Sequence, residues 1–142
     1  MTIARLIESR DFAIVSCAAS TSVREAVALL AERRIGALPV LDGESIVGIF
    51  SERDAVRQLA QLGPAMLDTA VGEVMTAPVF SVDPATGVID ALTLMTERRF
   101  RHLPVVEHGR MIDFVSIGDL VKYRIERIES EAEAMRSYIQ SA

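Results

Sequence analysis

The chain has 142 residues, half of them apolar and few aromatic, and its formal net charge is −5. This acidity argues against non-specific binding to nucleic acid, the single cysteine (Cys17) excludes an internal disulfide, and two histidines are too few to favour a zinc site. No apolar run is long enough to span a membrane, and charges from Glu8 onward interrupt any leader-like stretch. We therefore expect a cytoplasmic protein without a membrane partner.

Two short lead-in segments open the two halves of the chain. Residues 2–8 have a counterpart at residues 69–76, and β-prone runs follow them at 14–16 and 79–81. Between lead-in and run the first copy carries four more residues than the second, around 8–12. We interpret these extra residues as a surface loop.

An amphipathic helix comes next in each half. The first opens at Ser22, where Ser22-x-x-Glu25 has the form of a capping box, and the second follows Gly87. Their apolar residues recur at i, i+3, i+4 and i+7, which predicts one buried face. Each helix ends in a pair of arginines, at 33–34 and at 98–99, and we interpret both pairs as suited to the negative end of the helix dipole.

Each helix is followed by a predicted β-hairpin and a second helix. The four predicted strands span residues 37–42, 46–51, 102–107 and 111–116. The helix after the first hairpin runs from Glu52 to Leu62, and the helix after the second begins at Ile117.

The hairpins and their flanking helices are an internal duplication. Residues 33–54 map onto residues 98–119 at a constant offset of 65, without a gap. The duplication predicts an α/β (α+β) fold with repeat 1 over residues 1–65 and repeat 2 over residues 66–124.

The last predicted helix continues well past the end of the repeat and carries an apolar seam. The seam consists of Val121, Ile125, Ile128, Ala132, Met135 and Ile139, at the alternating spacing of 4 and 3 that is typical of coiled coils. The seam either folds back on the chain's own core or packs against the same helix of a second chain. We favour the second alternative and expect a homodimer contact over residues 117–142.

Ser51-x-x-Asp54 and Ser116-x-x-Asp119 each mark the point where an apolar strand becomes a helix. Ser and Asp at this spacing form a capping box, which satisfies free backbone N–H groups and needs no ligand. The same corner can also serve a nucleotide, because a helix N-terminus attracts phosphate and a carboxylate can accept hydrogen bonds from ribose hydroxyls. Under that interpretation the two corners would face each other across a pseudo-twofold axis and form two clefts.

The order of helix, LPV strand, turn, apolar strand, S-x-x-D and helix, present twice, resembles the cystathionine-β-synthase (CBS) domain family and its stand-alone tandem pairs. The resemblance covers residues 2 to 124 and is carried by GALPV, GIFSERD, VGEVMT, RHLPVV and VSIGDLVK. It implies two β-α-β-β-α units packed sheet to sheet with pseudo-twofold symmetry. It also implies clefts between the units for adenosine-containing ligands such as AMP, ADP, ATP, NAD or S-adenosylmethionine.

The resemblance assigns roles to the polar residues of both corners. Asp54 and Asp119 would hold ribose hydroxyls, and Ser51 and Ser116 would contact ribose or phosphate. Arg53 would lie beside the phosphate of the first site.

Further residues follow from the resemblance at the start of the LPV strands. Arg101 and His102 occupy positions where phosphate-contacting basic residues often sit, whereas the first copy has Gly36 and Ala37 there, so the two clefts should differ in affinity. The walls around adenine would come from Leu38, Pro39, Leu103, Pro104, Ile49 and Phe114.

One position breaks the match between the copies. Gly48 is the glycine usual in the family at the start of G-h-h-[ST]-x-x-D, and the second copy has Asp113 there. A carboxylate at this position either forms a harmless cap or salt bridge or repels a phosphate.

These features predict a regulatory module that binds an adenine nucleotide, uses no catalytic cofactor and acts on a separate partner protein. The sequence contains no P-loop, acidic metal cluster or nucleophile–base set that would indicate an enzyme. The alternative is a structural or oligomerisation module in which both S-x-x-D sequences act only as helix caps. We expect a homodimer and no nucleic-acid partner.

Overall fold

A computed structural model describes residues 1–10 and 13–141, and it contains the same α/β unit twice. The helices are α1 (Ile3–Glu8), α2 (Val23–Arg33), α3 (Glu52–Leu62), α4 (Val71–Val74), α5 (Val88–Arg98) and α6 (Ile117–Ser141). The strands are β1 (Cys17–Ala18), β2 (Ala37–Asp42), β3 (Ser45–Ser51), β4 (His102–Glu107) and β5 (Arg110–Ser116). A 3-10 helix over Gly63–Asp68 links the copies. The loop expected around residues 8–12 lies partly outside the described residues.

The two predicted hairpins are confirmed, and they pair in the same register. Val40 lies opposite Gly48 in the first, and Val105 lies opposite Asp113 in the second. The β-prone runs are displaced toward the C-terminus: the first becomes β1, which lies parallel to β2, and the second becomes a single bridge between Val82 and Val105. The first copy therefore has a three-stranded sheet and the second a two-stranded one.

Helices α2 and α5 begin and end as their sequences suggest. The Ser22 hydroxyl accepts a hydrogen bond from the Glu25 backbone N–H at 3.1 Å, although no return bond from Glu25 completes a capping box within the described residues. Arg34 and Arg99 end the two helices in the left-handed conformation, at φ 54° and 59°. The apolar faces of both helices are buried, as predicted.

Each copy has its own hydrophobic cluster, and each cluster takes a lead-in helix from the other copy. Ile3 and Leu6 of α1 pack in the cluster of the second copy, while Val71 of α4 packs in the cluster of the first. Backbone bonds fix this exchange: Ile3 N–H donates to Thr86 O at 2.9 Å, and Val71 N–H donates to Thr21 O at 2.8 Å. The exchange brings the segment after α4 to the first strand–helix corner.

The hairpins of the two copies meet, and α6 extends beyond both. Glu44 Oε1 lies 2.7 Å from Arg110 Nη2 across the hairpin ends, and the Glu44 carbonyl accepts a bond from Met111 N–H at 3.0 Å. Only Leu120 of the described residues of α6 is buried. Within the described residues, no helix combines the length and apolarity that crossing a membrane requires. The architecture confirms the predicted α/β fold of two repeats with a long C-terminal helix.

Candidate functional site

Ser51 and Asp54 form a reciprocal capping box at the first strand–helix corner. The backbone N–H and the hydroxyl of Ser51 donate to Asp54 Oδ2 at 2.9 and 3.0 Å, and the Asp54 N–H donates back to Ser51 Oγ at 3.3 Å. Asp54 is only 5% exposed. The Ser51–Asp54 pattern therefore forms a helix cap, as its purely structural interpretation predicts. Asp54 Oδ2 accepts two hydrogen bonds within this cap.

The segment that follows α4 contacts the other oxygen of Asp54. The Thr76 hydroxyl donates to Asp54 Oδ1 at 3.1 Å, and Thr76 exchanges both backbone hydrogen bonds with Ile49. Arg57 Nη1 lies 3.9 Å from the same oxygen. Because a carboxylate oxygen has two lone pairs, Oδ1 can accept a further hydrogen bond from a ligand.

The second corner has the same cap but a different neighbour. Ser116 N–H donates to Asp119 Oδ2 at 2.8 Å, and Asp119 N–H donates to Ser116 Oγ at 3.1 Å. Arg10, which follows α1, places its Nη1 atom 3.6 Å from Asp119 Oδ2 and 3.4 Å from Asp113 Oδ2. An internal cation thus lies at the corner where a second ligand was expected.

Asp113 forms a salt bridge, which is one of the two outcomes expected for a carboxylate at this position. Burial raises its pKa, whereas the hydrogen bond from Phe114 N–H, at 2.7 Å, and the charge of Arg10 oppose that rise. In the first copy a Cβ on Gly48 would overlap the side chain of Met75, with Cγ at 2.8 Å. Only glycine fits there without movement of Met75, and the second copy is free of this restriction.

A cleft of about 820 Å³ opens between the repeats beside the first corner. Its walls come from the start of β2, the first turns of α3, the segment at 76–80 and the end of α5 with the residues that follow it. Five of the predicted ligand-binding residues line it, namely Ser51, Arg53, Asp54, Arg101 and His102. The basic residues of the second copy thus share one cleft with the Ser and Asp of the first.

The remaining predicted ligand-binding residues lie elsewhere. Leu38, Pro39, Leu103 and Pro104 are buried in their strands, and both leucines belong to the hydrophobic clusters. Ser116 and Asp119 lie at the second corner and do not line this cleft. Of the two further apolar wall residues, Ile49 lines the cleft, whereas Phe114 stacks against His102 with ring centroids 5.4 Å apart.

Several cleft residues were not singled out from the sequence as ligand contacts. Arg98 and Arg99 were interpreted only as helix-terminal charges, and their proximity to Arg101 along the chain was the signal that could have drawn attention to them. Phe80 is half-exposed in the wall, packs on Phe100 at 5.4 Å and lies under the Arg98 guanidinium at 4.9 Å. The place of Phe80 in the cleft wall depends on the exchange of lead-in helices between the copies, which the sequence does not reveal.

His102 lies at the cleft wall, and its pKa is lowered from the ordinary value. Burial is the main cause of this lowering. The carboxylate of Asp119 raises the pKa, the positive charge of Arg101 lowers it further, and the carboxylate of Glu52 raises it. The ring is also close to the first copy, since its Cε1 lies 3.6 Å from where a Cβ on Gly36 would be. A neutral imidazole at this position can gain a proton when an anion approaches.

The described residues contain no group of three or more His, Cys, Asp and Glu side chains that could hold a metal ion. The cleft instead combines an apolar wall at Ile49, Val79 and Phe80 with guanidinium groups and a carboxylate that has a lone pair available. This arrangement suits a small ligand with an aromatic base, a sugar diol and an anionic group.

The model of the CBS domain family matches residues 9–61 and 71–126. The CBS domain-containing protein CBSX3, mitochondrial, of Arabidopsis thaliana is 34% identical over 138 residues, which are 94% of this chain and 67% of that relative. Among solved structures, the CBS-domain containing protein ATU1752 from Agrobacterium tumefaciens has a TM-score of 0.82 and 35% identity, with 87% of this chain and 99% of that chain covered. CBSX2 in complex with AMP has a TM-score of 0.71 and 30% identity, with 88% and 96% covered. The chain therefore belongs to the CBS domain family and contains a tandem pair of these domains.

Proposed function

We propose that the chain is a non-catalytic regulatory module that binds an adenine nucleotide in the cleft beside the first corner and acts on a separate protein. The observation that carries the proposal is the cleft itself, which joins the buried Asp54 to an apolar wall and several guanidinium groups. CBS-domain pairs are regulatory modules, and the similar structure of CBSX2 is a complex with AMP.

Each part of a nucleotide has a counterpart in this cleft. Asp54 would accept one ribose hydroxyl through the lone pair that remains on Oδ1, and Ile49 with Phe80 would contact adenine. Arg53 and Arg101 would contact the phosphate, because guanidinium groups bind phosphate oxygens in a bidentate manner. Leu38, Pro39, Leu103 and Pro104 would support these walls from the core rather than touch the ligand.

The second corner is proposed to bind its ligand more weakly or not at all. Asp119 already lies 3.6 Å from Arg10, and Asp113 lies 3.4 Å from the same atom. A nucleotide that used Ser116 and Asp119 would have to displace this arginine, and the cost would reduce its affinity. AMP, ADP, ATP and NAD all remain candidate ligands of the first site.

A structural module is the second candidate function, and the complete caps at both corners favour it. Native mass spectrometry of the freshly purified protein separates the two, because a retained adenine nucleotide adds a defined mass. We also expect AMP, ATP or NAD to raise the melting temperature, since a ligand at 100 times its Kd stabilises the native state by about 2.7 kcal/mol. If the purified protein carries no added mass and millimolar ligand does not change the melting temperature, the structural module is favoured.

We further propose that α6 mediates a homodimer. Its apolar seam stays exposed, with Ile125 at 50% and Ile128 at 47%, so it does not fold back on the chain's own core. A second copy of the same helix would bury it in the manner of a coiled coil. The cytoplasmic location stays a prediction, as does the action on a separate partner protein.

A further inference from the structure

The cleft beside the first corner holds more positive charge than a nucleoside monophosphate requires. Among the described residues, five arginines line it, at positions 53, 57, 98, 99 and 101, together with two carboxylates, Glu52 and Asp54. The whole chain has the opposite sign, with a net charge of −5. Guanidinium groups crowded at one cleft repel each other unless an anion lies between them.

These arginines form few side-chain interactions within the protein. Within the described residues, Arg57 forms a long contact of 3.9 Å with Asp54, while Arg53, Arg99 and Arg101 form no ion pair. Arg98 lies over the Phe80 ring at 4.9 Å, a contact that engages the face of its guanidinium group. Most of the charge at this cleft is therefore available to a ligand.

The internal duplication provides a comparison for Arg98 and Arg99. Their counterparts Arg33 and Arg34 end α2 in the same way, since Arg34 and Arg99 both adopt the left-handed conformation and both donate their backbone N–H to the preceding turn. Helix termination therefore accounts equally for both pairs. Only the second pair lines the cleft, and helix termination does not explain that placement.

We infer that the cleft binds a nucleotide with a chain of two or more phosphates, and that Arg98 and Arg99 contact its outer phosphates. The inference rests on the proposed function and deepens it by naming the ligand class. Arg53 and Arg101 suffice for the single phosphate of AMP. Each further phosphate adds negative charge, to which Arg98 and Arg99 can donate hydrogen bonds.

Isothermal titration calorimetry of the full chain with adenosine, AMP, ADP and ATP, at fixed ionic strength and without magnesium, tests the inference. We expect affinity to rise along the series, with ATP bound about tenfold or more tightly than AMP, because hydrogen bonds to charged groups are among the strong ones. Inorganic triphosphate serves as a probe of the phosphate positions alone and should compete with ATP. Equal affinity for AMP and ATP would overturn the inference while leaving the adenine site in place.

The double variant R98Q/R99Q should lower the ratio of ATP affinity to AMP affinity by about tenfold or more, because any effect through Phe80, on which Arg98 lies, would weaken both nucleotides alike. R33Q/R34Q is the matched control, because it removes the same two charges from the same helix position outside the cleft. It should bind both nucleotides as the natural chain does, and the melting temperatures of the two variants should be alike. Equal losses in both variants would show a general charge effect and overturn the assignment. Absence of binding by every compound would overturn both this inference and the proposed function.

Discussion

Arg10 Nη1 lies 3.4 Å from Asp113 Oδ2, so an arginine that follows the first lead-in helix neutralises a carboxylate buried in the second hairpin. The first copy has Gly48 at the position of Asp113, with Met75 packed where a side chain would go. The first copy also carries four extra residues around positions 8–12, a stretch that contains Arg10. The two departures from the repeat, a longer connection and a Gly-to-Asp exchange, thus meet at one place.

Asp113→Asn should raise the free energy of unfolding near neutral pH. Burial raises the pKa of Asp113, so the native state binds this proton more tightly than the unfolded chain does. The resulting stabilisation is present below the ordinary value of 3.8 and is lost as the pH rises through the native pKa. An amide does not suffer that loss and still accepts the bond from Phe114 N–H.

Urea denaturation between pH 3.5 and pH 8 would measure the free energy of unfolding of the variant and of the natural chain. The difference between the two should vanish at the acidic end, near the ordinary pKa of 3.8. Asp68→Asn is the control, because Asp68 forms an exposed pair with Arg24 at 3.2 Å and such pairs contribute little. A loss of stability in Asp113→Asn that is the same at every pH would contradict the expectation.

The duplication, the hairpins and the caps could be predicted because they depend on local patterns. A constant offset of 65 residues placed Ser51 and Ser116 at equivalent corners, and both caps form as their spacing indicates. The exchange of α1 and α4 between the copies could not be predicted. A short amphipathic helix buries its apolar face equally well on either of two similar cores, and nothing in its own sequence says which core it meets.

The candidate site divides in the same way. Asp54 and Arg53 follow from the corner pattern, whereas Arg98 and Phe80 reach the cleft only through the packing of one copy against the other. The LPV strands mislead for a related reason. Their leucines are apolar residues at the mouth of a predicted cleft, but Leu38 and Leu103 are fully buried because helices cover these strands.

Asp54→Ala should abolish the nucleotide-dependent rise in melting temperature, whereas Asp119→Ala should retain it. Both substitutions remove the carboxylate of a capping box, and Asp54→Ala should cost more stability because it also removes the acceptor of the Thr76 hydroxyl. Only Asp54 lines the open cleft, so only its loss removes the proposed acceptor for a ribose hydroxyl. Differential scanning fluorimetry, with each variant compared with its own ligand-free state, would separate the two effects. An equal response in both variants would argue against the first corner as the binding site.

Nucleotide binding should become tighter as the pH falls from 8 to 6, and His102 should carry this dependence. Burial lowers its pKa below the ordinary value of 6.5, and in the ligand-free protein this contributes stability that is lost as the pH falls through the native value. A bound phosphate favours the imidazolium, so binding takes up a proton and affinity rises by at most about tenfold per pH unit. Calorimetry in buffers of different ionisation enthalpy would count that proton.

His102→Gln is the control for this titration, because phosphate groups themselves also gain a proton at about pH 6. The variant should lose the protein's share of the proton uptake and keep only the ligand's. The same pH dependence in the variant and the natural chain would assign all of it to the nucleotide.

Ile128→Glu should convert the proposed homodimer into a monomer without unfolding either repeat. The seam on α6 becomes more exposed toward its end, from 47% at Ile128 to 65% at Met135 and 70% at Ile139, and it lies outside both hydrophobic clusters. A carboxylate in the middle of a coiled-coil seam is buried only at a large cost, so association should weaken by about 2 kcal/mol or more. Ser130→Glu, which adds the same charge on the opposite face of α6, should stay dimeric. Sedimentation velocity of both variants measures this, and a natural chain that sediments as a monomer at micromolar concentration would contradict the homodimer directly.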